Sequence, residues 1–129
     1  MLVRGLELAL LAVGAVAGAL LRFRIADSPL IFGTLPLNIL IVNVLGSAIL
    51  GAFSILLNTW HLDSRYSILV AVGFCGSLTT MSSFAYEATS MLDNRQYLNF
   101  VAEVAANVGL SIGALIAARE VTYAVVRPA

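Results

Sequence analysis

The 129-residue chain has no lysine, one histidine, one cysteine and three prolines, and charged residues of both signs together make up only 11% of it. Each shortage excludes something. Seven basic residues, all arginine, face seven acidic ones, so the formal net charge is zero and no basic field gathers nucleic acid. Cys75 alone cannot close an internal disulfide, and in its apolar surroundings it reads as a small hydrophobe. The single histidine, His61, falls in a loop pattern. No Ser-His-Asp set, phosphate-cradling glycine loop or cluster of metal-ligating side chains accompanies it, so no enzyme chemistry is legible. With no extended polar stretch there is no room for a soluble domain or a flexible linker.

What is present is apolar. Hydrophobic residues make up 60% of the chain and the mean hydropathy is +0.99, values that exclude a soluble fold. A bilayer core takes about 20 apolar helical residues to cross, because unpaired backbone amides are costly in hydrocarbon. Four runs qualify. Leu6 to Leu21 is stopped by Arg22, Arg24, Asp27 and Pro29, and no small-residue cleavage site before Arg22 suggests a secretory signal. Leu30 to Leu57 is long enough to span with tilt, or with a local break near Pro36 and Asn38. Trp60, His61, Asp63 and Arg65 form an interfacial turn. Tyr66 to Met91 follows and, after Asp93, Asn94 and Arg95, a last run starts at Tyr97. The reading is an all-α membrane domain with helices at about 5–24, 30–58, 66–92 and 97–119.

Orientation normally follows the arginines of short loops. One side carries Arg4, Arg65, Arg119 and Arg127, the other Arg22, Arg24 and Arg95; four against three is no preference. Either one charge suffices, or the chain inserts both ways and pairs with an inverted copy. Four thin helices enclose too little volume for a polar pathway, which favours oligomerisation. Small-residue pairs supply close packing: Gly14 with Gly18, Gly109 with Gly113 and, more loosely, Ser47 with Gly51.

The polar groups inside these runs demand an account. Five hydroxyl residues occupy the seven positions Ser77 to Ser83, beside Gly73 and Gly76. Glycine adds backbone freedom and hydroxyls compete for backbone partners, so this stretch predicts a helix broken within the membrane. Such a break survives where it is buried in protein or faces water, and its freed carbonyls are ion ligands. Asn43 and Ser47 share one helix face, as do Asn107 and Ser111, with Glu103 one turn earlier. These stripes are either interhelical glue or a hydrogen-bonding track. Arg22 either snorkels to headgroups or lends positive potential to a vestibule. Phe84 is either packing or, presented edge-on, a receptor for an anion. Glu87 lies one turn past Phe84, within reach of hydroxyls or an arginine; the deeper Glu103 is protonated, paired or facing water.

With these residues in place, the chain resembles the small fluoride channels of the Fluc or CrcB family. The likeness rests on Gly-Ala-Leu-Leu-Arg-Phe at 18–23, Val-Asn-Val-Leu-Gly-Ser at 42–47 with Gly51 beyond, and Gly-Ser-Leu-Thr-Thr-Met-Ser-Ser-Phe at 76–84 followed by Glu87. The last is similar to the family's Gly-Gly-Leu-Thr-Thr-Phe-Ser-Thr-Phe. The resemblance implies an antiparallel, dual-topology homodimer in the cell (plasma) membrane, passive export of fluoride, and one structural sodium ion at the dimer interface. By position it assigns the sodium to the backbone carbonyls of Gly76 and Thr79. Arg22 becomes a vestibule arginine, Asn43 the pore asparagine and Phe84 the second pore phenylalanine; Ser82, Ser83, Glu87, Asn107 and Ser111 fall along the pathway. The implied partners are fluoride, membrane lipid and a second copy of the chain, with no nucleic acid.

The chain departs from the family pattern in several places. Met81 stands at the first pore phenylalanine, Ser77 at a glycine, and Glu103 where a tyrosine is usual, so an ionised carboxylate there would repel fluoride. Asn38 has the family's expected offset from Gly33-Thr34-Leu35, but only Asn43 is followed by Gly46, Ser47 and Gly51, and Asn43 is preferred. Two rivals belong to other classes. A small dual-topology, proton-coupled multidrug or cation exchanger needs a carboxylate midway along the first helix, whereas Glu7 lies at that helix's start and only Glu103 is deep. A subunit that merely stabilises a larger complex would transport nothing by itself.

Overall fold

The computed structural model describes residues 2–127, with side chains from Arg4 onward, and holds four helices long and apolar enough to cross a bilayer. Helix α1 is Leu2–Ala26 and α2 is Asn38–Thr59. The third span has two limbs. The first, α3 (64–78), begins as an α-helical turn at Ser64–Ser67, is wound as a π-helix over Ile68–Cys75 and closes with an α-helical turn at Gly76–Leu78. The second, α4, is Met81–Asp93, and the last span, α5, is Tyr97–Val126.

The break falls inside the hydroxyl-rich run. Thr79 (φ −78°, ψ 153°) and Thr80 (φ −150°, ψ 119°) are both extended, and the Ser83 N–H, in the first turn of α4, donates to Thr80 Oγ1 at 3.2 Å. Threonine suits both roles, since its β-branch favours extended backbone and its hydroxyl caps the helix that follows. The π-helical winding of α3 has no counterpart in the sequence reading, because the apolar residues 68–72 carry no local signal for it.

Two boundaries are corrected. The second helix, expected from residue 30, begins at Asn38, because the segment before it forms a two-stranded antiparallel hairpin. Strands β1 (Ile31–Phe32) and β2 (Leu35–Pro36) pair Ile31 with Pro36 and Phe32 with Leu35, a short connection within an otherwise all-helical fold. Its two-residue turn uses Gly33 at φ +63°, a conformation glycine adopts freely, and the prolines at 29 and 36 cannot donate to a helix. Asn38 therefore starts a helix rather than interrupting one. Its Nδ2 donates to the carbonyls of Ala26 (2.8 Å) and Ser28 (2.6 Å), tying the end of α1 to the start of α2. The fourth helix, expected to stop near 119, continues to Val126. Arg119 and Glu120 end the apolar run without ending the helix, because both are exposed and both are good helix formers.

The helices pack chiefly as two pairs, α1 on α3 and α2 on α5. A Cβ at Gly14 or Gly18 would collide with the carbonyl oxygen of Leu69 or Phe74, and one at Gly51 with that of Leu115. At these seams backbone lies directly on backbone, the arrangement by which membrane helices gain dispersion contacts in a solvent as apolar as their side chains. Gly109 and Gly113 do not take part: among the described residues nothing lies within 4 Å of where their Cβ atoms would be. The reason is rotational, since α5 turns Glu103 and Asn107 inward and leaves Val108, Gly109, Ile112 and Gly113 exposed. Where α4 meets α2 and α5, Ile39, Phe84 and Ala88 form a small buried core against Phe100 and Val104.

Candidate functional site

The break, the two asparagine stripes and Phe84 converge on one cavity of about 400 Å³, lined among others by Asn43, Cys75, Gly76, Thr79, Thr80, Met81, Phe84, Asn107 and Ser111. Extended backbone at Thr79 and Thr80 needs partners that a continuous helix would have supplied. Asn43 supplies them from α2: the Thr80 N–H donates to Asn43 Oδ1 at 2.8 Å, and Asn43 Nδ2 approaches the Thr80 carbonyl at 3.3 Å. The same Nδ2 donates to Asn107 Oδ1 at 2.8 Å, and Asn107 Nδ2 donates to Glu103 Oε1 at 2.6 Å. Four groups on three elements thus form one chain, buried at its α5 end, where Glu103 is 1% exposed.

The hydroxyls divide. Thr79 Oγ1 donates back to the Cys75 carbonyl at 2.9 Å, the local bond that such residues form inside helices. Thr80 Oγ1 donates to Ser83 Oγ at 3.1 Å and lies 3.3 Å from Ser82 Oγ. Ser111 Oγ is buried without a partner among the described residues, on the cavity wall one turn beyond Asn107. An unpartnered hydroxyl there is a donor available to whatever enters.

The remaining predicted positions spread outward. Phe84 is 8% exposed and serves both as core packing and as cavity wall. Met81 lines the same cavity but is 74% exposed, and Ser82 is exposed beside it. Arg22 is half-buried, with Nη1 3.4 Å from the Thr79 carbonyl at the break. Glu87 lies apart from the chain of amides, in a second cavity of about 190 Å³ with Thr34, Tyr86, Ser90 and Gln96; its Oε2 is buried and unpartnered among the described residues. Asn38 holds the helix junction at the hairpin and lines neither cavity.

Glu103 is the residue that sequence reasoning left outside the candidate pathway. Its spacing to Asn107 was visible, but which way its side chain faces depends on the rotation of α5. Gly76 bears on cation binding. In an unbroken helix the Thr80 N–H would bond the Gly76 carbonyl; here it is given to Asn43, which frees that oxygen at an exposed position on the cavity wall. Among the described residues no group of three or more His, Cys, Asp or Glu side chains gathers to hold a metal.

Comparison with known proteins gives the chain a family. Residues 9–119 match the family described as CrcB-like protein, Camphor Resistance (CrcB). The chain is 55% identical over 123 residues to a protein of Nitrosopumilus maritimus named fluoride-specific ion channel FluC, covering 95% of this chain and 98% of that one. Proteins of the same name from a Sulfurihydrogenibium species (47% over 104 residues; 78% and 84% covered) and from Methanococcus aeolicus (36% over 103 residues; 79% and 83% covered) are also similar.

Proposed function

We propose, from the premise that this chain belongs to the CrcB-like family, that it is a fluoride-selective channel releasing cytoplasmic fluoride passively across the cell membrane. It is a multi-pass membrane protein by its four apolar helices and its family. The observation that carries the reading is the helix broken at Thr79–Thr80, stitched by Asn43 and opening on a cavity whose polar wall is amide and hydroxyl. A small anion loses much hydration energy on entering a bilayer and recovers most of it from short contacts with N–H and O–H donors, which favours fluoride over the larger chloride. Arg22 would concentrate anions near the break, Asn43, Asn107, Ser82, Ser83 and Ser111 would offer donors, and the edge of Phe84 would add the positive part of its quadrupole. Met81 fills the space of a ring without that edge, and Glu87 stands at the far end of the route.

Fluoride enters cells as neutral HF, dissociates at cytoplasmic pH and is trapped; an open pore lets the ion leave down its gradient. An inside-negative potential contributes about 2.3 kcal/mol per charge per 100 mV. No bond is made or broken.

The pathway wall is incomplete in one protomer, and the exposed strip of Val108, Gly109, Ile112 and Gly113 has the small-residue surface that a second helix packs against. We assign that strip and the cavity mouth to an antiparallel, dual-topology homodimer, consistent with the balanced arginine count. A sodium ion on the backbone carbonyls of Gly76 and Thr79 is supported at Gly76, whose oxygen has lost its helical donor and suits a hard cation, while the Thr79 oxygen also faces Arg22 Nη1 at 3.4 Å. When bound, it would supply fixed positive charge at the C-terminal end of α3.

The test is fluoride efflux from liposomes holding the purified protein, followed with a fluoride-selective electrode. Fluoride release without chloride release and without dependence on a pH gradient supports the channel; release only with a proton gradient supports the exchanger, the reading that the buried Glu103 favours. Asn43→Ala and Phe84→Ala should each slow efflux while the dimer still assembles, and wild-type rates in both would remove these residues from the pathway.

A further inference from the structure

The hydrogen-bonded chain from α5 to the break has a direction that its two ends impose. At one end the donor is the Thr80 backbone N–H, which cannot accept, so the Asn43 atom facing it is the carbonyl oxygen. The Asn43 amide nitrogen must then face Asn107, which answers with its oxygen, and the Asn107 nitrogen is left facing α5. There Glu103 Oε1 accepts it at 2.6 Å. Neither asparagine can rotate its amide by half a turn without setting nitrogen against nitrogen or oxygen against oxygen.

We propose that Glu103 is a positioning residue: by accepting from Asn107 it anchors the α5 end of a chain whose direction the Thr80 N–H sets, and so holds the Asn107 amide where its free donor faces the cavity. This rests on the channel reading and extends it to a residue that touches neither cavity. In the locked state one Asn107 N–H hydrogen is free of the chain, and Asn43 Nδ2 spends its second hydrogen on the long 3.3 Å contact to the Thr80 carbonyl. An entering anion displaces that contact most easily. With an apolar residue at 103 the Asn107 N–H loses its acceptor, so that amide is held only by the bond it accepts from Asn43 and turns out of the plane that orders the chain.

The experiment compares wild type, Glu103→Gln and Glu103→Leu in the liposome assay, reading fluoride efflux and fluoride-to-chloride selectivity of protein that elutes as the wild-type oligomer. The amide oxygen of Gln accepts from Asn107 as a carboxylate oxygen does, so Glu103→Gln should retain rate and selectivity within about twofold, whereas Glu103→Leu should lose about tenfold in selectivity, the equivalent of one displaced hydrogen bond. A purely structural role would lower the yield of Glu103→Leu and leave the selectivity of the assembled fraction unchanged, and that result overturns the proposal. If Glu103→Leu does not assemble, Glu103→Gln decides: retained selectivity supports positioning through an acceptor, and a tenfold loss overturns it. Absence of fluoride efflux from wild type would instead sink the channel reading, independently of these variants.

Discussion

The seam between α1 and α3 and the meeting of α2, α4 and α5 solve the same problem in opposite ways. At the first seam Gly14, Gly18 and Gly73 bring backbone against backbone, and side chains contribute little polarity. At the second, Asn43, Asn107 and Glu103 place amide and carboxyl groups deep in apolar helices and satisfy them against one another and against an unwound turn. The first gains only dispersion contacts and tolerates no added volume. The second holds polar groups that hydrocarbon would otherwise penalise, and it is the region with an open cavity.

The comparison can be broken at the packed seam first. Gly18→Leu drives a side chain into the Phe74 carbonyl and should cost about 3 kcal/mol, read as a lowered thermal midpoint of the detergent-solubilised protein with loss of assembled material. Asn43→Ala removes the partner of the Thr80 N–H and of Asn107 together, and should cost about 2 kcal/mol in the same measurement. Its efflux should fall further than its stability, whereas for Gly18→Leu the two should fall together. Thr80→Ala deletes the cap of α4 and should cost about 1 kcal/mol, with Thr80→Ser restoring it. Smallest is Met81→Ala: a side chain 74% exposed should change stability by under ~0.5 kcal/mol, so any larger loss of efflux belongs to the cavity it lines.

Much of this architecture was legible because hydropathy and hydroxyl content act locally. The four spans follow from run length, and the break follows from five hydroxyls beside two glycines, where competition for backbone partners is a property of the segment itself. The hairpin at residues 31–36 was not read, because its apolar strands merge into the run that becomes α2 and only Pro29, Gly33 and Pro36 mark the division. The stripe spacing on α2 and α5 showed that Asn43 and Asn107 each share a face with a serine, but not that the two faces meet. Gly109 and Gly113 carry the same motif as Gly14 and Gly18 but pack against nothing among the described residues, since a motif states that close approach is possible and not which helix approaches.

The amino-acid order by itself therefore determined that the chain lives in a bilayer, how many times it crosses and where the third crossing gives way. Those outcomes depend on how each segment partitions between water, hydrocarbon and its own backbone hydrogen bonds. Which way the Asn43 amide points, and that Asn107 and Glu103 continue its hydrogen bonding, were decided only when α2 and α5 packed at a particular rotation. Hydrogen bonds between residues 64 positions apart depend on distances that no local pattern encodes.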